Sequence, residues 1–417
     1  MIFSLFYLST ILDKFQYGVP LERHGFSLEA IPMDELQQLR EEIDQIDRQM
    51  VELFRQRMAV TGQVGQYKLA HGLPVLDAAR ERQVLQDKAR LVDGDLRPGV
   101  TTLFQTLMSI SRRQQRDMTR EGADNPGLPR FVQALSGVRT PVEHPRVVFQ
   151  GVAGAYSEQA CVNFFGEEVD ATGLPQFEDA FVALKEGRAD YAVLPIENSS
   201  TGAIRQIYDL LTQYDFFLVG ETTVKVDHCL MAPPGATLDT ITHVYSHEQG
   251  LMQSAKFLSR HPQWRQMPQW DTAGSAKLVA ERGDVTCAAL CSARAAKLYG
   301  LNILACPTND NPHNTTRFVV VSPRMELREG ADKISTVFLL PHRAGSLHEI
   351  LTIFAVHGLN MVKLESRPLP EHSWEYMFFL EFTGSLNTPE IADVLHELSQ
   401  TTGDFRVLGN FVSNLEE

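Results

Sequence analysis

From Asp34 onward the chain repeats apolar side chains at three- and four-residue steps, and no proline interrupts the pattern before Pro74. Leu36, Leu39, Ile43, Ile46, Met50, Leu53 and Phe54 carry the stripe. Nothing else in the sequence constrains the fold as tightly. The spacing predicts a helix over 34–71, and at 1.5 Å per residue such a helix is about 55 Å long. A compact domain of about 85 residues is much narrower. Two shorter helices, expected near 77–92 and 97–117, therefore cannot cover the whole stripe. A second copy of the chain is expected to cover the rest, in an all-α, three-helix intertwined dimer domain.

The helical zone holds 13 basic and 12 acidic residues, whereas the whole chain has 38 against 52 and a formal charge of −14. A nucleic-acid partner is excluded on that balance, but the cations gathered in the helices suit an acidic metabolite. The hydrophobic fraction, 43%, is that of a folded chain, and no apolar run approaches the length of a membrane span. The apolar start, Met1 to Leu12, lacks a basic stretch before it and a small-residue cleavage site after it. The N-terminal extension, 1–33, is therefore expected to be dispensable or misassigned over residues 1–32, with Met33 as a candidate start. Five cysteines, Cys161, Cys229, Cys287, Cys291 and Cys306, show no metal-type spacing and fit a reduced cytoplasm.

Pro126, Gly127, Pro129, Gly137, Pro141 and Pro145 mark a linker over 118–145. From Arg146 short apolar runs such as Val147–Phe149, Tyr191–Pro195, Phe216–Val219 and Phe318–Val321 alternate with helical stretches. That pattern predicts an α/β domain over 146–322. After the polar break at 324–332 the order is strand, helix, strand, strand, helix, strand, the α+β ferredoxin-like arrangement, over 334–412.

In the helical zone Arg40, Arg57, Lys68, Asp77, Arg80, Glu81, Ser111 and Gln115 interrupt the apolar faces. Any one of them alone reads as solvated surface charge. Together, with Leu39 to Asp47, Val64 to Lys68, Pro74 to Glu81 and Ser111-x-x-x-Gln115, the zone resembles the all-helical chorismate mutases. The rearrangement of chorismate is pericyclic and needs no nucleophile. A pocket must hold a dianion in its compact form and stabilise charge on the breaking ether oxygen. The resemblance implies that Arg57 and Arg80 grip carboxylates, that Arg40 reaches in from the partner protomer, and that Lys68 and Gln115 donate to the ether oxygen. It further implies that Glu81 and Asp77 fix the substrate hydroxyl beside Ser111.

The α/β zone opens with Phe149-Gln-Gly-Val-Ala-Gly-Ala-Tyr-Ser157, a strand, a Gly turn and a helix start whose N–H groups suit a carboxylate. Leu194-Pro-Ile-Glu-Asn-Ser-Ser-Thr-Gly202, Ser246-His-Glu-Gln249, Asp271-Thr-Ala-Gly-Ser-Ala276 and Asn314-Thr-Thr-Arg-Phe318 follow. In that order they resemble the prephenate dehydratases, which implies a two-lobed domain with a cleft. By the resemblance Thr316 is the catalytic residue, which hydrogen-bonds or protonates the departing ring hydroxyl. Arg317 binds a carboxylate or braces the lobe, and Asn198, Ser199 and Ser157 line the cleft. Tyr156 and Phe318 shield it from water, and His247 is a rim or packing residue. Ala155 departs from the Thr or Ser of many relatives, which leaves the aminated analogue, arogenate, open as a substrate.

In the last zone Gly345-Ser346-Leu347 stands at a strand-to-helix turn and Glu365-Ser366-Arg367-Pro368 leaves the next strand. Both resemble the ligand motifs of the ACT regulatory module, which implies L-phenylalanine binding between paired modules and feedback inhibition. The three resemblances in this order imply a bifunctional cytoplasmic enzyme that turns chorismate into prephenate and prephenate into phenylpyruvate, without metal or organic cofactor, as a homodimer or higher oligomer. A two-lobed solute-binding protein, and an enzyme with one lapsed activity, are the alternatives.

Overall fold

In a computed structural model of the chain, residues 33–121, 140–369 and 375–414 are described. The extension before Met33 and most of the expected linker lie outside the described residues. Contacts divide the chain into two units, one ending at Tyr67 and one running from Lys68 to Glu417. Helix α1 (Met33–Ala70) fills the described part of the first unit and ends in the second. Its apolar stripe is exposed: Leu36, Ile43, Ile46, Met50, Leu53 and Phe54 retain 37–63% of their accessible surface.

The second unit opens with α2 (Ala78–Ala89), a 3₁₀ turn at Gly94–Leu96 and α3 (Arg97–Glu121). Asp77 starts α2 by accepting a hydrogen bond from Arg80 N at 3.0 Å, which satisfies one of the helix's orphan donors. Pro98 sits in the first turn of α3, where a missing N–H has no helical partner to disappoint. The helix runs four residues past the expected end, because no Gly or Pro follows until Gly122.

Next come β1 (Arg146–Gln150), α4 (Tyr156–Phe165), β2 (Asp170–Leu174), α5 (Phe177–Lys185), β3 (Tyr191–Asn198), β4 (Gly202–Ala203), α6 (Arg205–Tyr214) and β5 (Phe217–Lys225). The chain then builds a second lobe. Its elements are β6 (Cys229–Ala232), β7 (His243–His247), the short α7 (Glu248–Gln253) and α8 (Ala255–Leu258), β8 (Arg265–Gln269), α9 (Thr272–Arg282), β9 (Cys287–Cys291), α10 (Ala293–Tyr299) and β10 (Asn302–Ala305). β11 (Thr315–Ser322) returns to the first lobe and lies antiparallel between β3 and β5. The two sheets have the orders β2-β1-β3-β11-β5, with β4 on β3, and β10-β6-β9-β7-β8. Tyr191 to Ile196 is buried at every position, as expected of a strand covered on both faces. Cys229 and Cys306, 77 residues apart, are joined as a disulfide, whereas the sequence reading foresaw only a reduced set of thiols.

The last part is β12 (Lys333–Leu340), α11 (Ser346–His357), β13 (Met361–Pro368), β14 (Tyr376–Thr383), α12 (Pro389–Thr401) and β15 (Gly403–Phe411), with sheet order β13-β14-β12-β15, all antiparallel. Alternation along β12 sends Ile334, Phe338 and Leu340 to a core under α11 and α12. Val337 goes to the opposite face and joins Phe379, Leu408 and Phe411 in the first lobe's core, against Leu218 and Val319. At Gly409 a Cβ would overlap the carbonyl of Leu218, so only glycine lets β15 approach β5 this closely. Three helices, a two-lobed α/β body and a βαββαβ sheet are the architecture that the sequence patterns predicted.

Candidate functional site

Between the lobes lies a cleft of about 480 Å³. Its floor is the pairing of β11 with β3, where Thr316 stands opposite Asn198. Asn198 Oδ1 accepts from the backbone N–H groups of Ser200 and Thr201 at 2.9 and 3.1 Å. Those bonds fix the amide, so Nδ2 donates to Thr316 Oγ1 at 2.9 Å and to Asn314 Oδ1 at 2.8 Å. Thr316 thus has an oxygen that is already accepting. Among the described residues no acceptor takes its hydroxyl hydrogen, which is left for whatever occupies the cleft.

The network continues into the second lobe. Asn314 Nδ2 donates to Gln253 Oε1 at 3.2 Å, and His228 Nε2 lies 3.0 Å from the same oxygen. Burial holds the His228 imidazole below its ordinary pKa, so the ring is neutral and donates from Nε2. Nδ1 is then an acceptor, and the Tyr156 hydroxyl lies 3.1 Å from it and 2.9 Å from the carbonyl of Asp227. Thr316, Asn198, Gln253, His228 and Tyr156 all line the cleft, and Phe318, one strand step beyond, faces the same way.

Among the described residues the cleft lining contains neither lysine nor arginine. Helix starts offer backbone donors instead. Ala155 precedes α4 and cannot cap it, so the first N–H groups of α4 are left without a side-chain acceptor where Ala155, Tyr156 and Ser157 line the cleft. The start of α9, at Asp271 and Thr272, faces the cleft as well, with Asp271 turned back to cap Gly274 N.

Arg317 is not brought to the cleft. Strand alternation turns it to the opposite face, where it makes two bonds to Glu381 of β14 at 2.7 and 2.6 Å and lies 3.6 Å from Glu221. Lys333 Nζ bonds Glu221 at 2.6 Å, and all four side chains are buried. Of the two roles considered for Arg317, the geometry supports the brace, and the carboxylate-binding role is corrected. Ser199 also stays off the lining: its hydroxyl accepts from Thr315 N at 3.0 Å and closes the turn instead. His247 sits at the rim, where it caps α7 by accepting from Gln249 N.

In the helical part of the second unit, Lys68 Nζ bonds the carbonyl of Val75 at 2.6 Å and Arg80 is exposed, 3.4 Å from Gln83. Ser111 and Gln115 are buried on one face of α3, and Gln115 Oε1 has no hydrogen-bond partner among the described residues. Glu81 Oε2 accepts from Arg112 at 2.6 Å. Arg40 and Arg57 stand on α1 in the first unit, exposed and half-buried respectively.

In the C-terminal part a second cavity, about 330 Å³, is lined by Leu340, Pro341, His342, Arg343, Ala344, Ser346, Tyr376 and Phe378. Gly345 adopts φ +85° at the start of α11, a conformation open to glycine, and so turns Ser346 into that cavity. Leu347 packs instead against the core under the helices. Glu365, Ser366, Arg367 and Pro368 lie on the edge strand β13. Ser366 and Pro368 pair with Phe378 and Tyr376, but none of the four lines the cavity within one chain. Arg367 reaches Asp209 of α6 with bonds of 3.0 and 2.8 Å.

Family models match this chain in the order of its three parts: chorismate mutase type II over 39–116, prephenate dehydratase over 147–326 and the ACT domain over 334–400. The bifunctional chorismate mutase/prephenate dehydratase of Escherichia coli K12 is 34% identical over 90% of this chain and 95% of its own length. This chain belongs to that family. Among solved structures, the prephenate dehydratase of Arthrobacter aurescens in complex with L-Phe is 32% identical with a TM-score of 0.59, over 64% of this chain and 90% of that one. GqqA, described as a novel type of quorum quenching acylase, is 31% identical with a TM-score of 0.60, over 64% of this chain and 98% of that one.

For a bifunctional chorismate mutase/prephenate dehydratase, the sequence reading missed His228, Gln253 and Trp270 in the cleft. His228 lies in Lys225-Val-Asp-His-Cys229, a run with no motif, and only the crossing between lobes brings it beside Gln253. Trp270 lines the cleft, is 90% exposed and directly precedes the Asp271-Thr272 helix start. Among the described residues no group of three or more His, Cys, Asp or Glu is arranged to hold a metal, and no helix is long and apolar enough to cross a membrane.

Proposed function

We propose that this chain converts chorismate to prephenate in the helical part and prephenate to phenylpyruvate, water and carbon dioxide in the cleft, under feedback control by L-phenylalanine. The observation that carries the second step is the Asn198-to-Thr316 hydrogen bond, which uses the threonine oxygen as acceptor and leaves its hydroxyl, at the cleft wall, free to donate to a ligand. In that step the bond from ring carbon to carboxylate breaks, its electron pair enters the ring, and the ring hydroxyl departs. Thr316 hydrogen-bonds to the departing oxygen, and the proton that completes water comes from solvent. Aromatisation supplies the driving force, so one aligned hydrogen-bond donor at the departing oxygen is enough. The start of α4 receives a substrate carboxylate, and Ser157, Asn198 and Phe318 complete the contacts.

For the mutase step Lys68 and Gln115 donate to the ether oxygen, and Glu81 and Asp77 hold the hydroxyl beside Ser111. Arg57 and Arg80, with Arg40 of a second protomer, take the carboxylates. The exposed apolar stripe of α1 supports a homodimer or higher homo-oligomer as the working state. Phenylalanine is received where Gly345, Ser346 and Leu347 of one sensor module meet Glu365, Ser366, Arg367 and Pro368 of another. The route inward is short. Lys363 of β13 bonds Glu197, and Glu381 of β14 bonds Arg317, one residue from Asn198 and one from Thr316. A cytoplasmic enzyme fits substrates of this kind.

The test is a pair of variants in the full chain, followed by loss of chorismate absorbance and appearance of phenylpyruvate in alkali. Thr316→Ala should lose about 10²–10⁴ in dehydratase turnover and keep its mutase activity. Arg40→Ala should do the reverse. A solute binder would show neither activity, and a lapsed enzyme would show one.

A further inference from the structure

Where α3 meets α12, four charged side chains pack together, three of them buried and Glu81 24% exposed. Arg112 is 8% exposed; its Nη1 bonds Glu81 Oε2 at 2.6 Å and its Nε bonds Glu397 Oε1 at 2.7 Å. Arg116, one helical turn on, bonds Glu397 Oε2. Glu397 belongs to α12 and is 1% exposed, and His357 Nε2 stands 3.7 Å from it, outside hydrogen-bonding range. Two guanidinium groups and two carboxylates balance. Burying them is still costly beside an apolar contact of the same size, so the arrangement calls for an explanation other than stability.

The placement of the four supplies one. Arg112 follows Ser111 and Arg116 follows Gln115, so Glu397 grips the two residues adjoining the mutase contacts of α3 and fixes that helix about its axis. Arg112 also pins one oxygen of Glu81, while Glu81 Oε1 has no partner among the described residues and is left for the substrate hydroxyl. A glutamate held this way has lost its rotamer freedom before substrate arrives. We propose that Arg112 is a positioning residue of the mutase, and that Glu397, lent by the C-terminal module, holds Arg112 in place. The mutase pocket is therefore complete only when the sensor module is docked. This rests on the assignment of Glu81 to the mutase site.

The experiment uses the full-length protein and both assays. Arg112→Gln and Glu397→Gln should each lower mutase kcat about tenfold, with KM for chorismate within twofold and dehydratase turnover within twofold of the parent. Arg112→Lys, which keeps the charge but reaches one carboxylate at a time, should recover part of the loss. Combining Arg112→Gln with Glu397→Gln should cost no more than Arg112→Gln alone, since the two act in series. Arg116→Gln removes as much of the buried network but leaves the link to Glu81, and should keep mutase kcat within threefold. Should Glu397→Gln not fold, the charge-balanced pair Glu397→Gln with Arg116→Gln takes its place, with the same tenfold loss expected. Unchanged mutase kcat in Arg112→Gln would overturn the proposal, as would equal losses in both activities or an Arg116→Gln as damaging as Arg112→Gln. A parent protein without mutase activity would instead refute the underlying assignment.

Discussion

Replacing Arg317 by methionine separates a bracing arginine from a substrate-binding one. The side chain is 6% exposed and sits among Glu381, Glu221 and Lys333, two positive and two negative groups in all. Methionine fills much of the space but leaves the buried carboxylates with one cation between them. Breaking a buried pair by removing one partner costs about 3–5 kcal/mol. In a cooperative unit of about 150–250 residues, the size of the α/β body that holds Arg317, each kcal/mol moves the thermal midpoint by about 2–4 °C, so a fall of about 6–20 °C is expected for that unit's transition. Adding Glu381→Gln to Arg317→Met removes the stranded charge and leaves the Lys333–Glu221 pair intact, and should recover most of that loss. The assay is a thermal melt of the three proteins beside prephenate kinetics below the transition. KM for prephenate should stay within a fewfold of the parent, because Arg317 points away from the cleft. A rise in KM of about a hundredfold with an unchanged midpoint would refute the reasoning, and so would a double variant no more stable than the single.

Glu397 makes stability depend on acidity. Burial pushes its pKa up, but His357, Arg112 and Arg116 outweigh that and hold it at about 2, against 4.5 for the unperturbed group. Its contribution is fully present above pH 4.5 and fades as the pH falls toward 2, a loss of about 3 kcal/mol; melts between pH 6 and 3 should be visibly flatter for Glu397→Gln. Saturating L-phenylalanine should lower dehydratase turnover, and Ser346→Ala or Tyr376→Ala should blunt the response, as read by inhibition curves. Prephenate should be turned over faster than arogenate by the purified protein, and Ala155→Thr, which places a hydroxyl at the cleft wall, should widen that preference; equal rates with both substrates would show that position 155 does not select between them.

Much of this was legible in the sequence because it rests on local rules. The stripe of α1 is a 3.6-residue period, and the sensor's six elements alternate in period at clear breaks. Thr316, Asn198, Ser157 and Phe318 sit in short strings whose chemistry is set within a few residues. What escaped was long-range. Arg317 reads like a carboxylate binder until the face of β11 on which it lies is known, and strand parity cannot be fixed from a run buried on both sides. Ser199 is one residue from Asn198 and is spent on closing a turn. His228 reaches the cleft where the chain crosses between the lobes, beside Gln253 and Tyr156, and Cys229 meets Cys306 across 77 residues. The four-charge cluster at Arg112 needs α12 to arrive beside α3, from 285 residues away in sequence.

That no lysine or arginine lines the cleft among the described residues has a practical consequence for anyone charting its contacts by side-chain truncation. If the first turn of α4 is what receives the substrate's carboxylate, the groups responsible are peptide N–H bonds that persist whichever residue occupies the position. An alanine scan would pass over them in silence. Swapping an amide for an ester at 156 or 157, or removing the N–H with proline, is the kind of surgery that would expose the contact.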